Sequence, residues 1–231
     1  MSTSINTRNR GFTLIELMVA LVLGLVVVGG VMGVFMSTYQ ANAQNIKSVR
    51  LNEEMRAVMS LMTRDIRRAG TRDLAWQPSL LGTPNLFAND VNWVVSRYDS
   101  TVPTNSCVLF AYDSNGNDTI DATVDRIGYR LRKEGALQSV EMRRTGTVCN
   151  GAGWEKVTDE NIMNVLDLDF TVTTEPGTPG IEVRTVIVTL DAATHTRSAN
   201  PATLTAADCT NIDVVCRQLV EKIRLRNDAV L

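Results

Sequence analysis

The sequence predicts an α+β fold in which one long N-terminal helix, from Phe12 to Ala69, packs on a mainly antiparallel β-sheet. Two patterns predict this class. Between residues 37 and 69 there is no proline or glycine, and apolar residues recur every three or four positions, as on one face of a helix. From residue 107 onward apolar residues tend to alternate with polar ones, which is typical of half-buried strands. A long helix followed by a run of strands indicates an α+β architecture.

The predicted helix has two halves, a transmembrane half at 12–36 and an amphipathic half at 37–70. From Leu17 to Met36 no side chain is charged or strongly polar. At about 1.5 Å per residue this run spans about 30 Å, which matches the hydrocarbon core of a bilayer. Gly70 is the predicted C-cap of the second half. The apolar stripe of that half consists of Leu51, Met55, Val58, Met62, Ile66 and Ala69.

The predicted globular domain, residues 71–231, is rich in β-structure. Residues 71–105 contain three prolines and are predicted to form a long connection that holds short elements. Gly135 is the predicted turn between two strands. The predicted strands are 107–112, 126–132, 137–143, 166–174, 183–190 and 217–226.

Composition excludes several classes of function. The chain has 231 residues and a formal net charge of -2, whereas a nucleic-acid protein needs a concentrated basic face. We therefore expect no nucleic-acid partner. The one histidine, His195, lies in a polar stretch that is predicted to be a loop, and no G-x-S-x-G nucleophile motif occurs. We therefore expect neither an enzyme nor an organic cofactor.

All four cysteines follow the apolar run. An even number of cysteines on one side of a membrane segment indicates two disulfides in an oxidising compartment, although four cysteines allow three pairings. A zinc site is disfavoured, because such sites use closely spaced C-x2-C pairs or histidine partners. We predict the pair Cys209–Cys216, because partners separated by a short loop meet most easily. Cys107–Cys149 is then the remaining pair.

The stretch DSNGNDTID, residues 113–121, supports two interpretations. Asp113, Asn115, Asn117 and Asp121 place oxygen ligands at positions 1, 3, 5 and 9 of a possible calcium loop. Positions 6 and 12, which are glycine and glutamate in such loops, are aspartate and valine here. The Asn-Gly pair between two apolar strands instead indicates a hairpin turn. We favour the turn and leave the calcium site open.

Glu16 lies at the start of the apolar run, where a carboxylate is costly and therefore indicates a function. Arg8 and Arg10 precede the run, and this pattern predicts that the N-terminal end stays in the cytoplasm while the rest is exported. A secretory signal peptide cut after Ala43 is one interpretation, but the apolar run is longer than an ordinary signal-peptide core. A plain single-span anchor is another. Both leave Glu16 without a role.

Residues 10–17, RGFTLIEL, resemble the class III signal of type IV pilins and type II secretion pseudopilins. The resemblance implies that a prepilin peptidase removes the leader, residues 1–11, by cutting between Gly11 and Phe12. It also implies N-methylation of Phe12 and an assembly charge pair between Glu16 and the amino group of Phe12 on a neighbouring subunit. An unpaired charge is costly in low dielectric, whereas a satisfied pair is tolerated and fixes register.

Three later stretches resemble PilW-type minor pilins and the related J-type pseudopilins more loosely: LMTRDIRRAG, DRIGYRLRKEGAL and IRLRN. The implied function is a minor pilin that helps to initiate a type IV pilus or lies near its tip. The implied partners are the prepilin peptidase, other minor and major pilins, the inner membrane and the pilus assembly machinery. The implied location is the bacterial inner membrane with a periplasmic C-terminal domain, and later the pilus fibre. A type II secretion pseudopilin and a filament-borne adhesin or DNA-binding module are the alternatives.

Overall fold

The computed structural model describes most of the chain: residues 11–72, 85–88, 94–121, 123–176, 182–195, 204–211 and 213–225. Residues 1–10 of the predicted leader and much of the predicted connection at 71–105 lie outside this part. The chain divides into two compact units, residues 1–45 and residues 46–231. The one long helix contributes residues to both units.

The predicted long helix is confirmed as α1, Leu14–Arg68, a single run of 55 residues. Two residues beyond its end lies Gly70, whose φ of 73° is in the left-handed region that glycine adopts without strain. Arg67 and Arg68 lie in the last turn, where positive charge complements the helix dipole. The observed bounds differ from the predicted ones by one or two residues at each end.

The described residues contain eight strands in two antiparallel sheets, so the antiparallel arrangement is confirmed. One sheet has five strands in the order β1 to β5, and the other has three in the order β6 to β8. The strands are β1 Val94–Ser96, β2 Cys107–Ala111, β3 Arg126–Glu134, β4 Leu137–Arg143, β5 Glu155–Lys156, β6 Asn164–Pro176, β7 Glu182–His195 and β8 Val214–Arg224. The same part of the chain contains two 3-10 turns, Leu86–Ala88 and Ala206–Thr210.

Each predicted strand overlaps an observed one, and β4 has the predicted bounds. β7 is longer than predicted. It includes His195, which pairs with Val214 of β8 instead of lying in a loop as the sequence analysis expected. β1 and β5 were not predicted because strands of three and two residues are too short to show an alternating pattern.

Where the sequence analysis predicted one sheet, the structure has two. β5 has only two residues, and β6 pairs with β7 rather than with the first sheet. Hydrogen bonds tie β6 to its neighbours, and the bond from Gln138 of β4 reaches the first sheet. Asn164 Oδ1 accepts a bond from Gln138 N at 2.7 Å, and Asn164 Nδ2 donates to Leu204 O at 2.8 Å. Phe170 N donates to Asn105 O at 2.9 Å.

The amphipathic stripe of α1 lies in the main hydrophobic core with inward-facing residues of both sheets, as the periodicity predicted. A polar contact lies in this core, because Tyr129 Oη donates a 2.6 Å bond to Oδ2 of the buried Asp65. Burial, together with the Asp65 carboxylate, raises the pKa of Tyr129. The phenol therefore stays a hydrogen-bond donor at physiological pH. The stripe residues Leu51, Met55, Met62 and Ile66 are fully buried.

Candidate functional site

The start of α1 brings together the residues of the signal-like motif. Thr13 immediately precedes the helix, and Glu16 is its third residue. Thr13 N and Thr13 Oγ1 each lie 3.4 Å from Glu16 Oε2, and Glu16 N donates to Thr13 Oγ1 at 3.3 Å. This reciprocal arrangement is a capping box, which satisfies backbone amides that have no partner within the helix. The Glu16 carboxylate also lies near the positive end of the helix dipole.

The capping box is a role of Glu16 that the sequence analysis missed. Its signal was present, because Thr13-Leu14-Ile15-Glu16 has the S/T-x-x-E form. In the full-length chain the nitrogen of Phe12 is a neutral peptide amide, so it cannot form a charge pair with Glu16. Gly11 and Phe12 are both exposed, and the Phe12 side chain is 85% exposed. The junction between them is therefore accessible.

Large apolar side chains are exposed all around the first half of α1. From Leu14 to Met36 their exposed fractions range from 53% to 78%. By length and composition α1 can cross a membrane. Exposed apolar surface of this extent indicates contact with lipid or with another protein.

Two family models match the chain. The prokaryotic N-terminal methylation motif matches residues 6–32, and the model described as prepilin peptidase-dependent protein B matches residues 44–208. The second match covers well over half of the chain. The chain belongs to the prepilin peptidase-dependent protein B family. Prepilin peptidase-dependent protein B of Escherichia coli (strain K12) is 24% identical over 156 residues, which make up 66% of this chain and 72% of that protein. No solved structure matches the chain significantly.

Together the two matches confirm the predicted type IV pilin-like family. A member of the prepilin peptidase-dependent protein B family that carries the methylation motif is a structural protein and not an enzyme. The first half of α1 is accordingly consistent with the membrane anchor of a prepilin-like protein. The closer resemblance to PilW-type minor pilins stays a prediction.

The structure joins the same two cysteine pairs that the sequence analysis predicted. Cys107 and Cys149 are bonded with their Cα atoms 6.2 Å apart, which ties β2 to the loop after β4. Cys209 and Cys216 are bonded with their Cα atoms 5.6 Å apart, which ties the second 3-10 turn to the start of β8. Both distances lie in the range that unstrained disulfides adopt.

The side-chain oxygens of the four predicted calcium ligands accept hydrogen bonds from backbone amides in or just after their own loop. Within the described residues, no group of three or more His, Cys, Asp or Glu side chains is arranged to hold a metal ion. β2 and β3 are antiparallel neighbours joined by this loop, as the hairpin interpretation expected. The calcium site stays a prediction that this geometry does not support. The side chain of Asp113 accepts bonds from the amides of Gly116 and Asp118, Asn115 from that of Asn117, Asn117 from that of Thr119, and Asp121 from that of Thr123.

Proposed function

We propose that this protein is a minor pilin that is anchored in the inner membrane and joins a type IV pilus at or near its start. One observation carries the proposal: a motif like the prepilin signal, residues 10–17, lies directly before a helix half whose apolar side chains are exposed. Such a surface needs lipid around it before assembly and neighbouring subunits around it afterwards. A filament of packed helices supplies the second environment.

We propose that prepilin peptidase cuts between Gly11 and Phe12 and that the amino group of Phe12 is then methylated. The exposure of both residues supports this, because a peptidase needs access to the junction. The name of the Escherichia coli relative, prepilin peptidase-dependent protein B, supports the same enzyme as the partner. N-methylation leaves the amine protonated and therefore cationic.

We propose that Glu16 forms a charge pair with the amine of Phe12 on a neighbouring subunit in the fibre. Both contacts from Thr13 go to Glu16 Oε2, which leaves Oε1 for a cation. A carboxylate in a low-dielectric setting is tolerated when an opposite charge satisfies it. The pair would fix how far one helix slides along the next during assembly.

We propose that the domain after the membrane segment lies in the periplasm. Arg8 and Arg10 precede the apolar run, which favours a cytoplasmic N-terminal end. The two disulfides lie on the other side of the run, in agreement with an oxidising compartment there. Other pilins and the assembly machinery are the proposed partners.

The N-terminus of the mature protein tests the processing step. We expect intact-mass and N-terminal analysis of protein from pilus-producing cells to show a chain that begins at N-methylated Phe12. The control is the same protein from cells without prepilin peptidase, which should retain residues 1–11. A mature chain that begins at Gln44 would instead indicate an ordinary signal peptide and contradict the proposal.

Gene deletion tests the choice of filament. A pilus protein predicts fewer pili per cell and its own presence in sheared pili, with unchanged release of secreted proteins. The opposite result, normal pili with loss of protein secretion, would favour a type II secretion pseudopilin. Normal pili that lose only adhesion or DNA uptake would favour a filament-borne binding module.

A further inference from the structure

The chain just beyond α1 pairs with the end of β2 and the start of the loop that follows it. Gly70 N donates to Ala111 O at 2.9 Å, and Asp113 N donates to Thr71 O at 2.8 Å. These two bonds hold the backbone of residues 70–71 beside the hairpin. The next residue, Arg72, is consequently placed against the 113–121 loop.

Arg72 and Asp118 form an ion pair with two points of contact. Arg72 Nη2 donates to Asp118 Oδ2 at 2.7 Å, and Arg72 Nε donates to Asp118 Oδ1. The side chains are only 10% and 15% exposed. The hydrogen bond to Asp118 raises the pKa of Arg72. A two-point bond of this kind fixes the orientation of the carboxylate as well as its distance.

Asp118 adopts a left-handed backbone conformation. Its φ of 57° is the only positive value found for a non-glycine residue in the described part of the chain. A side chain with a Cβ disfavours this conformation unless neighbouring contacts hold it. On the inner side of the loop, Asp113 accepts bonds from Gly116 N at 2.8 Å and Asp118 N at 3.2 Å.

The loop therefore collects negative charge. Asp113, Asp118 and Asp121 lie within nine residues of one another along the chain. Arg72 contacts Asp118 directly and interacts electrostatically with Asp113. In a calcium loop the corresponding attraction comes from the bound ion.

We propose that the guanidinium of Arg72 is the built-in cation on which the 113–121 loop closes, in the place that Ca²⁺ takes in calcium loops of related sequence. The loop then reaches its folded form without a divalent metal. The same contact fastens the loop to the chain that leaves α1. This inference does not depend on the protein being a pilin.

Hydrogen exchange of the full-length chain in detergent, measured by mass spectrometry, tests the proposal. The variants Arg72→Met and Asp118→Asn should each speed exchange in the peptide that covers 113–121 by about tenfold, because the loop opens more often. Asn tolerates the left-handed conformation, so Asp118→Asn removes the charge with little added strain. The matched control is Arg56→Met, which removes an exposed arginine of α1 and should change nothing.

Three further hydrogen-exchange measurements test the proposal. The double variant should exchange no faster than either single variant, as expected when both remove one interaction. The β3 peptide should be unchanged in every variant. Wild-type exchange should be the same in CaCl2 and in chelator.

Unchanged hydrogen exchange of the 113–121 peptide in Arg72→Met would overturn the proposal. Slower exchange of this peptide in the wild type with Ca²⁺ would also overturn it, because a metal ion would then close the loop. If Arg72→Met does not fold, Arg72→Lys replaces it, since lysine keeps the charge but lacks the two-point fork. We expect loop exchange in that variant to lie between wild type and Asp118→Asn. Exchange as slow as in wild type would show that the fork has no role.

Discussion

The two halves of α1 belong to one continuous helix but differ in what surrounds them. In the amphipathic half, Leu51, Met55 and Met62 are fully buried in a core made by the chain itself. In the first half, Leu14 is 78% and Val34 70% exposed. The chain itself provides the partner of one half, whereas the exposed apolar surface of the other half indicates contact with lipid or with another protein.

This difference separates two consequences of mutation along one helix. Replacing a buried residue of the amphipathic half should lower the free energy of unfolding, because its contacts are internal. Replacing an exposed residue of the first half should leave the folded domain intact and change insertion or assembly instead.

The largest effect is expected at Glu16 and concerns assembly. Glu16→Ala should still be inserted and cut, because a more apolar segment enters the bilayer at least as readily. It should then be nearly absent from fibres, because the amine of the neighbouring subunit is left without its counter-charge. Co-purification of the variant with sheared pili, together with pilus number per cell, measures this.

Glu16→Gln and Thr13→Ala separate the two contacts of the carboxylate. Glu16→Gln keeps the size and hydrogen-bonding capacity but removes the charge, so it should fail in assembly as Glu16→Ala does. Thr13→Ala removes a hydroxyl of the capping box but keeps the charge, so incorporation should be reduced much less. Normal incorporation of both Glu16 variants would show that the charge pair is not needed.

The largest effect on stability is expected in the amphipathic half. Met62 is fully buried, and Met62→Ala should lower the free energy of unfolding by about 2–5 kcal/mol through the lost contacts and the cavity left behind. Met32, 63% exposed in the first half, gives the matched control, because Met32→Ala should leave that free energy unchanged. Denaturant unfolding of the full-length chain in detergent measures both. Equal effects of the two substitutions would contradict the comparison.

The sequence predicted the long helix and its buried face better than it predicted the polar contacts between distant residues. The stripe from Leu51 to Ala69 repeats at helical spacing over several turns, so periodicity alone identified both the helix and its buried face. The division into two sheets was not predicted. Nor were the bonds of the Asn164 side chain, which join it to residues 26 and 40 positions away, because no local sequence pattern predicts such a contact.

The candidate site shows the same limit. Gly11, Phe12 and Glu16 follow from a contiguous motif, and the capping box is readable from Thr13 and Glu16 alone. The contact of Arg72 with Asp118 joins residues 46 positions apart. The loop sequence predicted a hairpin turn and left a calcium site open, since nothing near it in the chain indicates the contact with Arg72.

A smaller loss of stability is expected at Asn164, where a polar side chain is fully buried in the same compact unit as the amphipathic half. Asn164→Ala leaves Gln138 N and Leu204 O without their partners, which should lower the free energy of unfolding by about 2 kcal/mol. Asn161→Ala is the matched control, because Asn161 is exposed and its loss should cost less than about 0.5 kcal/mol. Denaturant unfolding distinguishes the two. If Asn161→Ala lowered the free energy of unfolding as much as Asn164→Ala, burial would not determine the effect.

The smallest effect is expected at Asp167 on β6, and it has the opposite sign. Burial raises the pKa of Asp167, and the charges of Asp191 on β7 and Asp169 on β6 raise it further, against a 3.0 Å bond from the Leu168 amide. Asp167 lies directly opposite Asp191 in the ladder, while the group facing Asp191 from β8 is the uncharged Gln218. Two like charges opposite each other in a sheet destabilise it.

Because the pKa of Asp167 is higher in the folded than in the unfolded chain, the folded state binds this proton more tightly, and stability rises as pH falls through the folded pKa. The ionised Asp167 is therefore a penalty at neutral pH. Asp167→Asn should add about 0.5 kcal/mol to the free energy of unfolding there, and the gain should vanish at about pH 3, where the wild-type carboxyl is protonated.

Asp99 is the control with the opposite sign, because the Thr101 hydroxyl and amide lower its pKa, so Asp99→Asn should give no gain at neutral pH. Unfolding curves of the wild type and both variants across this pH range measure the difference. A gain at Asp167→Asn that is equal at all pH values would attribute the effect to packing, since only a charge effect disappears on protonation.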